Sequence, residues 1–354
     1  MQHGMRLLKC IRLNRITSSF ITTIEKTEWI MDNQECLDWV KRMEHSVTRR
    51  LNEYAPRLVF STLMDKKSGK TAIEIYNPIL NSWTMGSMHR EVKVPNAEGI
   101  CTTWNETIIF IGGESRSREY ATVCMLFNTR KNYWREIPAM TEYRLYLVAE
   151  VIDDKLYCAG GISHGNASVK SSMEVFHLAD PSRGWTVLSN MIKGRYRAAS
   201  CVLDGQLFVF GGNGLNGKLL SDGERFDPET NEWSPISPMP TPRYYCTAAT
   251  LNGLIYIVGG WGDRDELMDV YSPSTDTWTS VGDMKIQRNA PHVVAMCAKL
   301  FVFGGQNTDG EFTDTVESYE PLTDSWKDEP PMRLSEEERY TCTLPIPAQY
   351  PLPY

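Results

Sequence analysis

The sequence predicts an all-β fold, a six-bladed propeller closed by its C-terminal strand and preceded by a short α-helical segment. Three observations predict it. Apolar runs that end in a Gly doublet recur at Gly113, Gly161, Gly212, Gly260 and Gly305, in steps of 48, 51, 48 and 45 residues. Tryptophans recur downstream at Trp83, Trp134, Trp185, Trp233, Trp278 and Trp326, in steps of 51, 51, 48, 45 and 48. Between these markers the order strand, turn, strand, variable loop, strand, turn, strand repeats. Two independent markers sharing one period describe an array of four-stranded units.

The chain begins differently. Residues 1–56 carry apolar residues at three- and four-residue spacing in "MRLLKCIRL", "SSFITTIEKTEWI" and "ECLDWVKRMEHSVTRRLNEY", the pattern of helices. Met1 to Ile24 contains Arg6, Lys9, Arg12 and Arg15 and no acid, which is also the pattern of a mitochondrial leader. A folded helix with Leu7, Leu8, Ile11 and Phe20 turned inward uses the same letters structurally.

From residue 57 the strands begin. "RLVFSTL" and "IEIYNPILNSW" supply the later strands of a unit that lacks its first, and Ser61-Thr62 stands where a Gly doublet is expected. Five complete units come next, from 98 to 332. "RYTCTLPI" at 339–346 then reads as a first strand with nothing behind it. Pairing the two ends makes a propeller over 57–346, with blade one shared between 57–88 and 339–346 and a tail at 347–354. Such closure removes exposed strand edges.

Within a unit each letter has a use. An Arg opens it (Arg144, Arg195, Arg243, Arg288), and a Met closes it (Met239, Met284, Met332). The Gly doublet ends an inner strand where blades crowd and a Cβ would clash. "DPETNEW" sets a turn through its Pro, with Asp, Thr and Asn bonding back to the main chain. The Trp is a wedge between neighbouring blades.

These repeats resemble kelch motifs, and the resemblance covers residues 57 to about 344. The order of "LLKCIRL", "FITTIEKTEWI" and "ECLDWV" within 1–56 resembles the second half of a BACK domain. The whole is similar to the kelch-like (BTB-BACK-Kelch) family, without the BTB domain and the first half of BACK. The resemblance implies a non-enzymatic protein-interaction module in the cytoplasm, or associated with the cytoskeleton or nucleus. Its implied role is substrate recognition for a cullin-3 RING E3 ubiquitin ligase, binding a peptide or loop of a partner. Cullin-3 is an implied partner only where a longer form or another BTB protein supplies that domain. Actin or another cytoskeletal partner is the alternative implied by the family, and a propeller enzyme the third.

Composition narrows the classes independently. A net charge of −7 argues against general nucleic-acid binding. No apolar run approaches the roughly 18 residues that cross a bilayer as a helix. Nine cysteines, without a C-x-x-C pair, point to reduced thiols rather than a disulfide framework or zinc site. The six histidines form neither H-x-H nor H-E-x-x-H, so no metal or other cofactor is expected. Gly212 to Gly217 satisfies G-x-G-x-x-G, the dinucleotide fingerprint. The next residues, "KLLSDGERFDPETNEW", read as strands rather than as the helix whose N-terminus would cradle phosphate. Cys101, Cys201, Cys246 and Cys342 fall on first strands near the axis, where a small buried residue suits the crowding.

Binding residues are expected on loops carried by the rigid ring. Family resemblance places the partner face on the loops after each Gly doublet and the loops entering each first strand. The first set contributes Arg116, Arg118, His164, Asn213, Asn216, Trp261, Arg264 and Gln306. The second contributes Tyr146, Tyr196, Arg197, Tyr244, Tyr245, Asn289 and Tyr340. Two readings stand for Trp261: a contact residue among Tyr and Arg neighbours, or a ring folded against its own loop. The tyrosines likewise have a structural reading, ring packed and hydroxyl bonded to backbone.

Overall fold

The computed structural model describes residues 57–64, 71–78, 80–87, 99–113, 124–129, 131, 133–163, 168–262, 268–333 and 339–345. Their strands form six four-stranded antiparallel sheets. Five are built from consecutive strands: β4 to β7 (Gly99–Trp104, Thr107–Gly112, Cys124–Asn128, Tyr133–Glu136) and β8 to β11 (Val148–Ile152, Lys155–Ala159, Met173–His177, Trp185–Leu188) are the first two. Then come β12 to β15 (Ala199–Leu203, Gln206–Phe210, Gly223–Asp227, Glu232–Ile236) and β16 to β19 (Thr247–Leu251, Leu254–Val258, Met268–Ser272, Thr277–Ser280). The fifth is β20 to β23 (His292–Met296, Lys299–Phe303, Val316–Glu320, Ser325–Glu329).

The remaining sheet is composite. Its order is β24 (Arg339–Pro345), β1 (Arg57–Met64), β2 (Thr71–Asn77), β3 (Ser82–Ser87), so the last strand pairs with the first, Phe60 opposite Cys342. Strand β24 touches both β4 and β20. Trp83 Nε1 donates to Pro330 O at 2.9 Å, tying this sheet to the end of the fifth blade.

The expected six-bladed count is corrected: the described residues form five self-contained blades, and the sheet that stands with them is assembled from the two distant end segments. The expected α-helical segment at 1–56 lies outside the described residues, among which the helices are short 3-10 turns at Pro181–Arg183 and Leu215–Gly217.

The repeated letters explain the packing. At Gly211 and Gly212 the backbone is left-handed, with φ of 59° and 86°. A Cβ on Gly211 would lie 2.5 Å from Arg243 O, and one on Gly212 2.6 Å from Tyr196 O, so only glycine fits both the angle and the space. The opening arginines are the largest fully buried side chains. Arg195 Nη1 donates to Gly211 O at 2.8 Å and Asp222 O at 3.0 Å, and Nη2 reaches Glu224 Oε1 at 2.7 Å. Arg144 with Glu174, Arg243 with Asp269 and Arg288 with Glu317 repeat the pair. Each acid is the second residue of a third strand, which is why "MEVFH", "GERFD", "MDVYS" and "VESYE" share an acidic letter at the same place.

Between blades the core is apolar. Phe208 and Phe210 of one blade meet Ile255, Ile257 and Tyr271 of the next, with Trp278 packed against them. Five of the six wedges also carry a polar tie to the preceding blade, as where Trp233 Nε1 donates to Ser189 O at 3.0 Å, Trp278 to Ser237 O at 2.9 Å and Trp326 to Gly282 O at 2.8 Å, whereas the buried Trp134 Nε1 has no such partner. Trp233→Phe keeps an aromatic ring in the seam but removes the bond to Ser189 O together with part of the indole's volume. Chemical denaturation is expected to show a loss of about 1–2 kcal/mol.

Candidate functional site

The loops entering the first strands and those leaving the Gly doublets meet on one rim. Isolated bridges join Leu145 to Ile162, Tyr196 to Asn213, Tyr244 to Trp261 and Asn289 to Gln306. The two sets of expected contact loops are therefore extensions of the same paired inner strands.

One residue further in, Tyr146, Arg197, Tyr245 and Ala290 all adopt left-handed backbone, with φ of 53°, 55°, 55° and 49°. Such angles cost a non-glycine residue roughly 1–3 kcal/mol unless the surroundings enforce them. Here a relay of backbone bonds crosses from blade to blade. Arg197 N donates to Tyr146 O, Tyr245 N to Arg197 O and Ala290 N to Tyr245 O, at 3.0, 3.0 and 2.8 Å. The relay fixes these side chains at the mouth of the axial channel.

Arg197 sits within an aromatic cluster. Its guanidinium carbon is 4.4 Å from the Tyr146 ring centroid, 4.7 Å from Tyr245, 5.4 Å from Tyr196 and 6.0 Å from Tyr244. Tyr146 and Tyr245 meet edge to face at 6.0 Å. Burial works against the charge of Arg197, yet the hydrogen bond with Tyr146 and the neighbouring tyrosine oxygens outweigh it and hold the guanidinium above its ordinary range. No carboxylate among the described residues pairs with it, and its buried Nε has no hydrogen-bond partner. The four repeat arginines are committed to internal acids, whereas Arg197 is held by π faces and a hydrogen bond with Tyr146, which leaves its Nε without a partner.

Below the mouth lies a channel of about 530 Å³ walled by the first strands. Glu150 and His292 both line it. Ser200 Oγ donates to Glu150 Oε1 at 2.8 Å across the boundary between β8 and β12. Burial pushes the Glu150 carboxyl up to about 7, against the lowering effect of Ser200. Burial drives His292 down to about 4, so its imidazole is neutral at physiological pH. Cys101, Cys201 and Cys246 line the same channel, none of them in a disulfide. Burial raises Cys201 and Cys246, leaving both protonated. Among the described residues no group of three His, Cys, Asp or Glu side chains could hold a metal ion, and no helix is long and apolar enough to cross a membrane.

The other expected contact residues divide by exposure. Asn216 is exposed at a loop tip with φ of 57°, beside Leu215, which is 71% exposed and carries no signal in the sequence. Trp261 and Gln306 are half-buried, and Trp261 is tied through its backbone to Tyr244. Asn213 and Asn289 are buried, at 6% and 0% exposure, so neither is presented to a partner as the rim stands. Tyr340 lies on β24, where its backbone pairs with Thr62. Arg116, Arg118, His164 and Arg264 lie outside the described residues.

Comparison with known proteins agrees with this architecture. The model of the KLHDC2/KLHL20/DRC7 Kelch-repeats domain matches residues 146–347. The chain is 25% identical to Kelch repeat and BTB domain-containing protein 1 of vaccinia virus (strain Copenhagen), over 98% of this chain and 61% of that protein. It is 26% identical to human Kelch-like protein 23, over 72% of this chain and 45% of that protein. With ectromelia virus (strain Moscow) Kelch repeat and BTB domain-containing protein 1 the identity is 24%, over 91% and 56%. The chain thus spans about three fifths or less of the length of these relatives.

Proposed function

Because the chain belongs to the family of the KLHDC2/KLHL20/DRC7 Kelch-repeats domain, we propose that its channel rim recognises a loop or peptide of another protein through a carboxylate placed on Arg197. The observation that carries this reading is the Arg197 cluster itself. A cation held by four tyrosine rings, with no internal acid and on a backbone locked between three blades, has the composition and rigidity of a binding hot spot. Tyr196 and Tyr244 would flank the partner, and Leu215 would add an apolar contact. The relatives named for a BTB domain support a further step, in which the partner is a substrate delivered to a cullin-3 ubiquitin ligase by a BTB domain in the same or another chain.

The test is capture from cell extract with wild type and Arg197→Asn. Asparagine tolerates the left-handed backbone that Arg197 occupies, so the variant preserves the rim while removing the cation. A partner bound through this site should lose at least tenfold in affinity with an unchanged unfolding transition. Equal capture by a folded Arg197→Asn variant would remove the rim assignment. Capture of cullin-3 only together with a BTB protein would support the delivery step.

A further inference from the structure

Four interior acids of this propeller follow a rule that Glu150 does not. Glu174, Glu224, Asp269 and Glu317 are each buried against an arginine of the same blade. Glu150 lies in the channel wall and, among the described residues, has no basic partner; the hydrogen bond from Ser200 occupies its Oε1. A carboxyl group brought into the interior without a cation costs stability, and buried polar groups normally find a partner in the protein, in water or in a ligand. The surface that Glu150 retains opens onto the channel, and the channel's size is that of a small-molecule site.

We infer that the axial channel is a binding site for a small organic cation, a protonated primary amine, whose ammonium group pairs with Glu150. The wall suits that ligand and disfavours others. Ala149, Val151 and Ala249 offer apolar surface for a short carbon chain, and Ser200 and Thr102 bring hydroxyls that accept from an ammonium. The imidazole of His292 and the thiols of Cys201 and Cys246 are neutral, so none competes for Glu150 as a cation or adds a second negative charge. Arg197, the cation at the mouth, is level with Tyr146, four residues before Glu150. At the rise of a strand that is roughly 13 Å along the channel, beyond direct pairing with Glu150. The carboxyl titrates near neutrality, so a bound ammonium would draw it into its charged form.

This inference is independent of the rim reading, because it uses no partner protein and leaves Arg197 in place. The probe is n-propylammonium chloride, added to the whole chain at pH 8 and followed by thermal unfolding and by calorimetric titration. Sodium chloride and 1-propanol at the same concentrations are the controls. A saturable rise in Tm with the amine alone is expected, since a ligand that binds only the folded state stabilises it by mass action. Glu150→Gln should weaken the apparent affinity at least tenfold. Glu150→Thr, which copies Thr102 at the equivalent position of the neighbouring strand, should do the same and guards against a folding defect in the first variant. A non-saturable shift, a shift matched by the controls, or equal affinity in either folded variant would overturn the site and leave the channel to water.

Discussion

Replacing Arg195 by alanine is expected to lower the unfolding free energy by about 3–5 kcal/mol, read from the denaturant midpoint at constant slope. Arg195 is 1% exposed and holds the carbonyls of Gly211 and Asp222 and the carboxylates of Asp222 and Glu224. Removing it strands Glu224, itself 1% exposed, with only the backbone N–H groups of Ile192 and Lys193. Alanine at Lys193 is the informative contrast. Its ion pair with Asp222 is at the surface, the Lys side chain 55% exposed, and its loss should change stability by no more than about 0.5 kcal/mol. If the two variants differ little, the buried pairs do not hold the blades. The joint change Arg195→Met with Glu224→Leu should recover part of the loss, because it removes the stranded charge along with its partner.

The second large effect is a pair of opposed pH dependences in the channel wall. Glu150 has a folded value of about 7, above its ordinary 4.5. Its contribution is therefore fully present below pH 4.5 and lost as pH rises to about 7, by at most about 3 kcal/mol. His292 has a folded value of about 4, below its ordinary 6.5. Its contribution is present above pH 6.5 and lost as pH falls to about 4, by a similar amount. Between pH 4.5 and 6.5 unfolding releases a proton at Glu150 and takes one up at His292, and the two slopes cancel. Glu150→Gln should then expose a stability that rises with pH across this window, by up to about 1.4 kcal/mol per unit. His292→Gln should expose a fall of the same size. At pH 8 the Glu150→Gln chain should also be more stable than wild type. Parallel profiles for all three chains would show that neither group is held away from water by the channel.

Much of the fold was legible because its causes are local or strictly repeated. A Gly doublet reports a left-handed turn under a neighbouring carbonyl, and a Trp reports a wedge with an N–H to place, so their common period described the blades directly. The pairing of the two chain ends also came from counting, since one set of later strands and one stray first strand were left over. Tyr146, Tyr196, Arg197, Tyr244 and Tyr245 were legible as a set, two positions counted from each opening Arg. Their sequence did not say that four rings close on one guanidinium, which requires three blades to meet at the axis. Asn213 and Asn289 show the converse: their letters suited a loop contact, but bridging to Tyr196 and Gln306 turned both side chains inward.

Glu150 and His292 gave no signal at all in the sequence. Each is a single polar letter in an apolar strand, with no neighbour at a chemical spacing. What makes them consequential is curvature: the ring brings first strands from separate repeats around one narrow channel, 50 residues apart in sequence for Glu150 and Ser200 yet in hydrogen-bond contact. The chain by itself determined its repeat, its strands and the residue types each blade needs to pack, because those demands recur within every 45 to 51 residues. Only the tertiary structure decided which acids receive an arginine, which arginine is held by tyrosine rings instead of an acid and which carboxyl faces the axis. Those are properties of the contacts between repeats, and no single repeat contains them.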